Sequence, residues 1–368
     1  MVSSRVLKRA TVITCLATAL SACGPARIPP PPALFPLENV WTVPVPGGVD
    51  HGPATDGTHV FYVSAGTLHA VAAANGKPRW STAGRDGTLG AAPNLLALRE
   101  ADGTVWGIDP ASGSARWKVE SGIAGTLPPV VDAQQVLIAG EGLVAIDAGS
   151  GRVIWGAPGE PKVTSPPVVA GPLVIVGEAD GTLRARDGAT GASLWTHATG
   201  GEVLAPALPD GEGRLIVGTT ARGIIALDAK DGKRKWRWKV GTDVITGGVV
   251  VERNAVVATQ EAVLWGLRSG GGNMAWRAAL PSRSLGGPMR FGNAVLIACH
   301  GLRPSESLLV GFDGLTGRRL GDLKTPAEIK WPPVAAGLGV YAALRDDTLA
   351  GWRLPPEAGP APSSPSKP

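Results

Sequence analysis

The stretch Ser165–Trp195, SPPVVAGPLVIVGEADGTLRARDGATGASLW, decides the fold. It opens on prolines, passes through an apolar run and a Gly-Thr turn, alternates, and closes on D-x-x-x-G-x-x-x-W. Short apolar runs bounded by Gly, Asp and Pro read as strands. Four are expected here: A (Pro166–Val169), B (Leu173–Glu178), C (Thr182–Arg186) and D (Ala192–His197). The same frame returns as IDPASGSARW ending at Trp117, IDAGSGRVIW at Trp155 and LDAKDGKRKW at Trp236. Weaker copies end at Trp80, at Trp276 and at Gly321, where glycine replaces the tryptophan. The frame glycine is present in all seven, at Gly76, Gly113, Gly151, Gly191, Gly232, Gly272 and Gly317.

Aligned at the Asp position, the copies fall at 72, 109, 147, 187, 228, 268 and 313, and an eighth breaks off after Arg353. The intervals run from 37 to 45 residues. A period near 40 with four short strands per unit is the mark of a β-propeller. The frame has a physical reason. A tight C-to-D turn needs a positive φ, which glycine adopts without a Cβ penalty. The Asp can accept hydrogen bonds from backbone N–H groups just ahead of it. The tryptophan offers a large flat surface to fill the wedge between blades.

The eighth copy lacks strand D, while Val40–Val45 forms a D-like strand with no blade before it, and Trp41 lies in step with Trp80. Pairing that strand onto Thr348–Trp352 gives an all-β ring of eight four-stranded antiparallel blades, closed by the N-terminal strand joining the last blade. The propeller is expected over 38–354.

The N-terminus reads differently. Arg5, Lys8 and Arg9 precede the short, nearly uncharged stretch Ala10–Leu20, and Leu20-Ser21-Ala22-Cys23 follows. This is the layout of a secretory signal over 1–22, too short to span a bilayer comfortably. Its L-S-A-C ending resembles a lipobox, which implies lipidation at Cys23. Residues 23–37 then carry the lipidated cysteine and a Pro-rich tether (Gly24–Pro36, GPARIPPPPALFP), extended at about 3.1 Å per residue. A Pro/Ser-rich tail over 355–368 is expected to be disordered.

Removing the signal takes away three basic and no acidic residues, so the formal charge falls from +5 to +2. Nothing global then attracts a polyanion. The local exception is Lys233–Lys239, KRKWRWK, whose mixed cations and rings could suit a nucleic acid. Strand alternation gives another reading: Trp236 and Trp238 pack inward while Lys235, Arg237 and Lys239 stay in water and guard an edge. No nucleic-acid partner is expected.

Chemistry is not prominent. Past Cys23 the only cysteine is Cys299, which continues the apolar run Ala294–Ala298 and reads as a small buried hydrophobe. The histidines (His51, His59, His69, His197 and His300) show no HExxH spacing and no triad-like neighbour. His51 and His59 flank a candidate strand A near the axis, in the channel or in a solvated loop. Asp346-Asp347 reads as a hairpin turn. The stretch GEGRLIVG at 211–218 leads into a strand rather than a helix, unlike a phosphate loop. No catalytic, cofactor-binding or metal residue is assigned.

The repeat, ending in A-x-D-x-x-x-G-x-x-x-W, resembles the PQQ-type propeller unit. Together with a lipobox and little else beyond eight copies, it resembles the BamB family of outer-membrane lipoproteins. That resemblance implies a non-enzymatic scaffold, lipid-anchored in the outer membrane and facing the periplasm, accessory to assembly of β-barrel proteins. Its implied partners are an outer-membrane assembly protein and, through the anchor, the membrane. The family's Leu-x-Leu-Arg stretch after a strand D is missing: the segments after Trp155 and Trp195 read GAPGEPKVTS and THATGGEVLA. Partner-binding residues therefore stay unassigned. Alternatives are a subunit of another envelope complex and a PQQ-dependent dehydrogenase. The latter shares the ring, but tends to be longer and in many cases carries a Cys-Cys pair.

Overall fold

The structure, a computed structural model, describes residues 31–158, 161–303 and 305–356. The signal segment, Cys23 and most of the tail lie outside the described residues. Thirty-two strands form eight four-stranded antiparallel sheets, and the described residues contain no helix. Each sheet is one blade, ordered A to D from the ring's axis outward.

In blade 4 the strands are Val168–Ala170, Leu173–Gly177, Thr182–Asp187 and Ser193–Ala198. Strand A begins two residues later than the sequence suggests. Pro166 and Pro167 carry no N–H and cannot donate to the ladder. Strands B and C supply the buried core, and strand D alternates between exposed and half-buried positions. Core clusters join successive blades, as in Ile175, Leu183 and Ala185 of blade 4 with Leu215, Val217 and Ile225 of blade 5.

The joint between blades is the same each time. The seven frame glycines have φ between 68° and 74°. Each donates its N–H to the carbonyl of the Asp-position residue four before it, as from Gly191 to Asp187 at 2.8 Å. The tryptophan of the preceding blade lies against that glycine. A Cβ on Gly191 would sit 2.6 Å from Trp155 Cδ2, and one on Gly232 2.5 Å from Trp195 Cε3. Seven indoles also donate Nε1–H to the carbonyl just after the next blade's Asp position, at 2.7–3.1 Å. Opposite each of these seven tryptophans, strand C carries only Ala or Gly, as in Ala185↔Trp195 and Gly107↔Trp117. A larger residue there would meet the ring: a Cβ on Gly107 falls 2.0 Å from Trp117 Cε2. A bulge follows at that point in blades 1–6, and at the equivalent Gly311↔Gly321 pair of blade 7.

The ring closes as expected. Glu38–Pro44 is strand D of blade 8, antiparallel to Thr348–Arg353, with Trp41 opposite Gly351. Trp41 then stacks on Gly76 of blade 1 and donates to Ala73 O at 2.9 Å.

Blade 7 has no tryptophan, and its place is filled from the segment read as tether. Leu34 and Leu37 are buried in the cluster shared by blades 7 and 8, with Phe35 packed against it. A Cβ on Gly321 would meet Phe35 at 2.7 Å, and one on Gly311 would meet both Leu34 and Phe35 at 2.6 Å. The eighth wedge thus comes from residues preceding the first strand.

A paired substitution isolates the indole–glycine contact. Gly171 and Gly191 both have positive φ, but nothing lies within 4 Å of a Cβ on Gly171. Gly171→Ala should cost only the left-handed conformation, about 1–2 kcal/mol. Gly191→Ala must also displace Trp155, for a total of about 2–5 kcal/mol. Urea melts compare the two directly, and equal losses would show that the contact is unimportant.

Candidate interaction surface

Antiparallel alternation sends the B–C turns and the loops between blades to one end of the ring, and the A–B and C–D turns to the other. The inter-blade loops are held by side chains reaching across blades. Arg99, 1% exposed at the end of strand B in blade 2, donates to the carbonyls of Ile123, Leu127 and Ala139 at 2.8, 3.0 and 2.6 Å. These acceptors belong to the blade 2–3 loop and to blade 3. Thr164 Oγ1 donates to Val203 O at 3.0 Å, tying the loop before blade 4 to the one before blade 5. At the closure Trp331 Nε1 donates to Val49 O at 3.1 Å.

The residues singled out from sequence are dispersed. His51 sits in the loop before blade 1, 3.1 Å from Asp86 Oδ1. His59 opens strand B of that blade, half-buried, with Nδ1 3.0 Å from Asp56 Oδ2 and its ring tilted on Phe61. Strand A of this blade, Ala54–Thr55, thus lies between the two histidines as the sequence suggests, and both imidazoles have carboxylate neighbours that the spacing did not reveal. No hydroxyl or thiol is hydrogen-bonded to either ring among the described residues. His69 stacks on Tyr62 at 4.9 Å. His197 lies on strand D of blade 4, and His300 lies 3.9 Å from Glu328. Cys299 is fully buried in the core between blades 6 and 7, and burial pushes its thiol up to about 12. Asp346-Asp347 forms the turn before Thr348, with Asp347 at φ 58°. The 211–218 stretch enters the strand Arg214–Thr219, its arginine paired with Asp210 at 2.7 Å. Among the described residues no group of three or more His, Cys, Asp or Glu side chains could hold a metal ion.

KRKWRWK becomes strand D of blade 5, Arg234–Lys239. Trp236 is buried, Trp238 is half-buried edge-on against Trp265, and Lys235, Arg237 and Lys239 are exposed. Its cations have local work: Lys235 Nζ lies 2.9 Å from Asp228 Oδ2. Blade 2 repeats the arrangement with Arg116 paired to Asp109 Oδ2. In both, the residue before the tryptophan is the cation, and its partner is the frame aspartate. The Oδ1 atom meanwhile caps the turn, accepting from the N–H of Ala111 and Ser112 in blade 2.

Blades 3 and 4 break this pattern. The residue before the tryptophan is Ile154 in one and Leu194 in the other. Asp147 and Asp187 still cap their turns through Oδ1, bonding Ser150 and Thr190. Those hydroxyls and N–H groups pull both carboxyls below their ordinary value. Between these blades runs a groove of ≈ 650 Å³ whose lining includes Asp132, Asp147, Ile154, Val169, Pro172 and Asp187.

Two stretches of the chain, 38–145 and 101–243, match the family model described as "Outer membrane protein assembly factor BamB". A protein of that name from Nitrosomonas eutropha is 33% identical over 136 residues, 35% of this chain and 33% of the relative. The matched curated relatives are covered over 33% to 53% of their own length. Among solved structures, BamB from Moraxella catarrhalis superposes with a TM-score of 0.71 at 15% identity, covering 86% of this chain and 100% of that one. A quinohemoprotein alcohol dehydrogenase from Comamonas testosteroni gives 0.65 at 12% identity, covering 87% and 78%. At such identities the two structures share the propeller fold alone.

The pairing in blade 2 is testable by titration. The hydrogen bond from Arg116 leads the causes that lower Asp109 from the ordinary 3.8 to about 2. A depressed carboxyl contributes stability above its unfolded value and loses it as pH falls through the folded one. The contribution should therefore be present above about pH 4 and disappear toward pH 2. Carboxyl NMR of Arg116→Gln should show Asp109 moving up toward 3.8; an unmoved value would remove Arg116 as the cause.

Proposed function

The chain belongs to the family of the outer membrane protein assembly factor BamB, and on that basis we propose that it is a non-enzymatic scaffold for the assembly of outer-membrane β-barrel proteins. The observation that carries this reading is the loop-bearing end of the ring. Arg99, Thr164 and Trp331 tie inter-blade loops to neighbouring blades. Such loops present a preorganised surface, so a partner docking there pays little ordering entropy. An eight-bladed ring with inter-blade loops pinned in this way is suited to binding a protein.

In the same reading Cys23 is lipidated and the Pro-rich segment holds the ring near the membrane, facing the periplasm. Each buried CH₂ contributes about 0.8 kcal/mol, and two or more acyl chains make attachment stable. Leu34, Phe35 and Leu37 shorten the free tether, because they already belong to the ring. The dehydrogenase alternative has only a shared fold in its favour.

Metabolic labelling with a fatty-acid analogue should mark the wild type and leave Cys23→Ala unlabelled. Equal labelling would end the anchor assignment. Crosslinking in the native host, followed by mass spectrometry, should recover the outer-membrane barrel-assembly protein. Reproducible recovery of a different envelope complex without it would keep the scaffold and discard the assembly role.

A further inference from the structure

Strand D is the outermost strand of every blade, paired on one side only, so each blade offers an unpaired backbone edge to solvent. Such edges recruit other strands unless charge, proline or twist protects them. Six of the eight carry exposed charge: Arg79 in blade 1, Arg116 and Lys118 in blade 2, Arg234 to Lys239 in blade 5, Arg277 in blade 6, Arg319 and Lys324 in blade 7, and Glu38 in blade 8. The two that lack it are neighbours. Blade 3 presents Val153–Pro158, VIWGAP, and blade 4 presents Ser193–Ala198, SLWTHA. Burial first, then Arg234, lowers His197 below its ordinary value, so the blade 4 edge stays neutral at neutral pH.

These strands also expose aliphatic side chains where other blades place cations. Val153 is 48% exposed, Ile154 44% and Leu194 53%. Gly156 is exposed as well, and it offers backbone without a shielding side chain. At the C–D turn end of the blade 3 edge, the lining of the inter-blade groove holds three carboxylates, Asp132, Asp147 and Asp187, and no cation. Arg152, at the start of the strand, acts on Asp147 only through space. The Oδ2 atoms that meet Arg116 and Lys235 in blades 2 and 5 have no such partner in blades 3 and 4 among the described residues.

We propose that the edge of blade 3 is a strand-addition site for an extended segment of another polypeptide. That segment alternates apolar and polar side chains and carries a lysine or arginine at the end passing the C–D turns. Its backbone would continue the sheet beyond Val153–Ala157, since Pro158 has no N–H to offer. Its apolar side chains would cover Val153 and Ile154, and its cation would take the position that Arg116 and Lys235 occupy in their own blades. Main-chain bonds supply affinity without demanding one sequence, and the alternation and the terminal cation supply selectivity. The inference rests on the edge and the groove, not on the assembly role.

A labelled peptide of alternating valine and threonine with one terminal lysine is the probe, read by fluorescence anisotropy on the purified ring. Controls replace the lysine by glutamate or a central residue by proline. Ile154→Lys supplies the missing internal cation and charges the edge, so it should weaken binding on the order of tenfold. Met274→Lys, a comparable change on the blade 6 edge, should leave binding unchanged. Thermal melts establish that both variants are folded; should Ile154→Lys not fold, Val153→Lys replaces it. No binding by the wild type at millimolar peptide, or equal binding of the proline or glutamate peptide, would overturn the proposal. So would the same loss in both variants. Self-association in sedimentation that Ile154→Lys abolishes would make a second copy of this chain the occupant instead.

Discussion

An indole laid on a glycine holds this ring together. In seven of eight joints the tryptophan of one blade covers the turn glycine of the next and donates to the carbonyl beside it. The contact demands three things of the sequence: a tryptophan on strand D, a glycine at positive φ in the following turn, and Ala or Gly opposite the tryptophan on strand C. Each demand is steric, since a single added Cβ would overlap the ring. The frame is therefore a repeated solution to packing flat sheets radially, and its conserved spacing within the chain needs no ligand to explain it.

The exception at blade 7 shows how the ring depends on that wedge. Where Gly321 removes the tryptophan, Phe35 and Leu34 arrive from the N-terminal side and occupy the space. Closure therefore uses two pieces of one segment, the strand Glu38–Pro44 and the wedge just before it. In the proposed anchored form, the same segment would link lipid to ring.

The proposed strand-addition edge lies where the repeat is broken rather than where it is kept. Turn aspartates serve their own turns in five blades, yet only in blades 2 and 5 do they also hold a cation at the residue before the tryptophan. The substitutions Ile154 and Leu194 leave carboxylates, aliphatics and bare backbone side by side in blades 3 and 4. A repeat fold makes such departures visible, because blades 2 and 5 show the same position with its cation in place.

The repeat was legible because its period, its glycines and its tryptophans are local, and each copy constrains only itself and its neighbour. The closure was legible for the same reason: an orphan strand D at one end and a missing one at the other leave one economical pairing. The buried state of Cys299 followed from the apolar run it continues, and the solvated cations of KRKWRWK from alternation. What sequence did not disclose depends on contacts between distant positions. Leu34 and Phe35 look like part of a proline-rich spacer until Gly311 and Gly321, nearly three hundred residues later, provide their socket. His59 gains Asp56 through the curl of a turn, and Arg99 finds three carbonyls across a blade boundary. The groove between blades 3 and 4 exists only once the blades stand side by side. The sequence determined the blade, because a blade is made of neighbours; the tertiary structure decided the surfaces, because each joins residues that only the closed ring brings together.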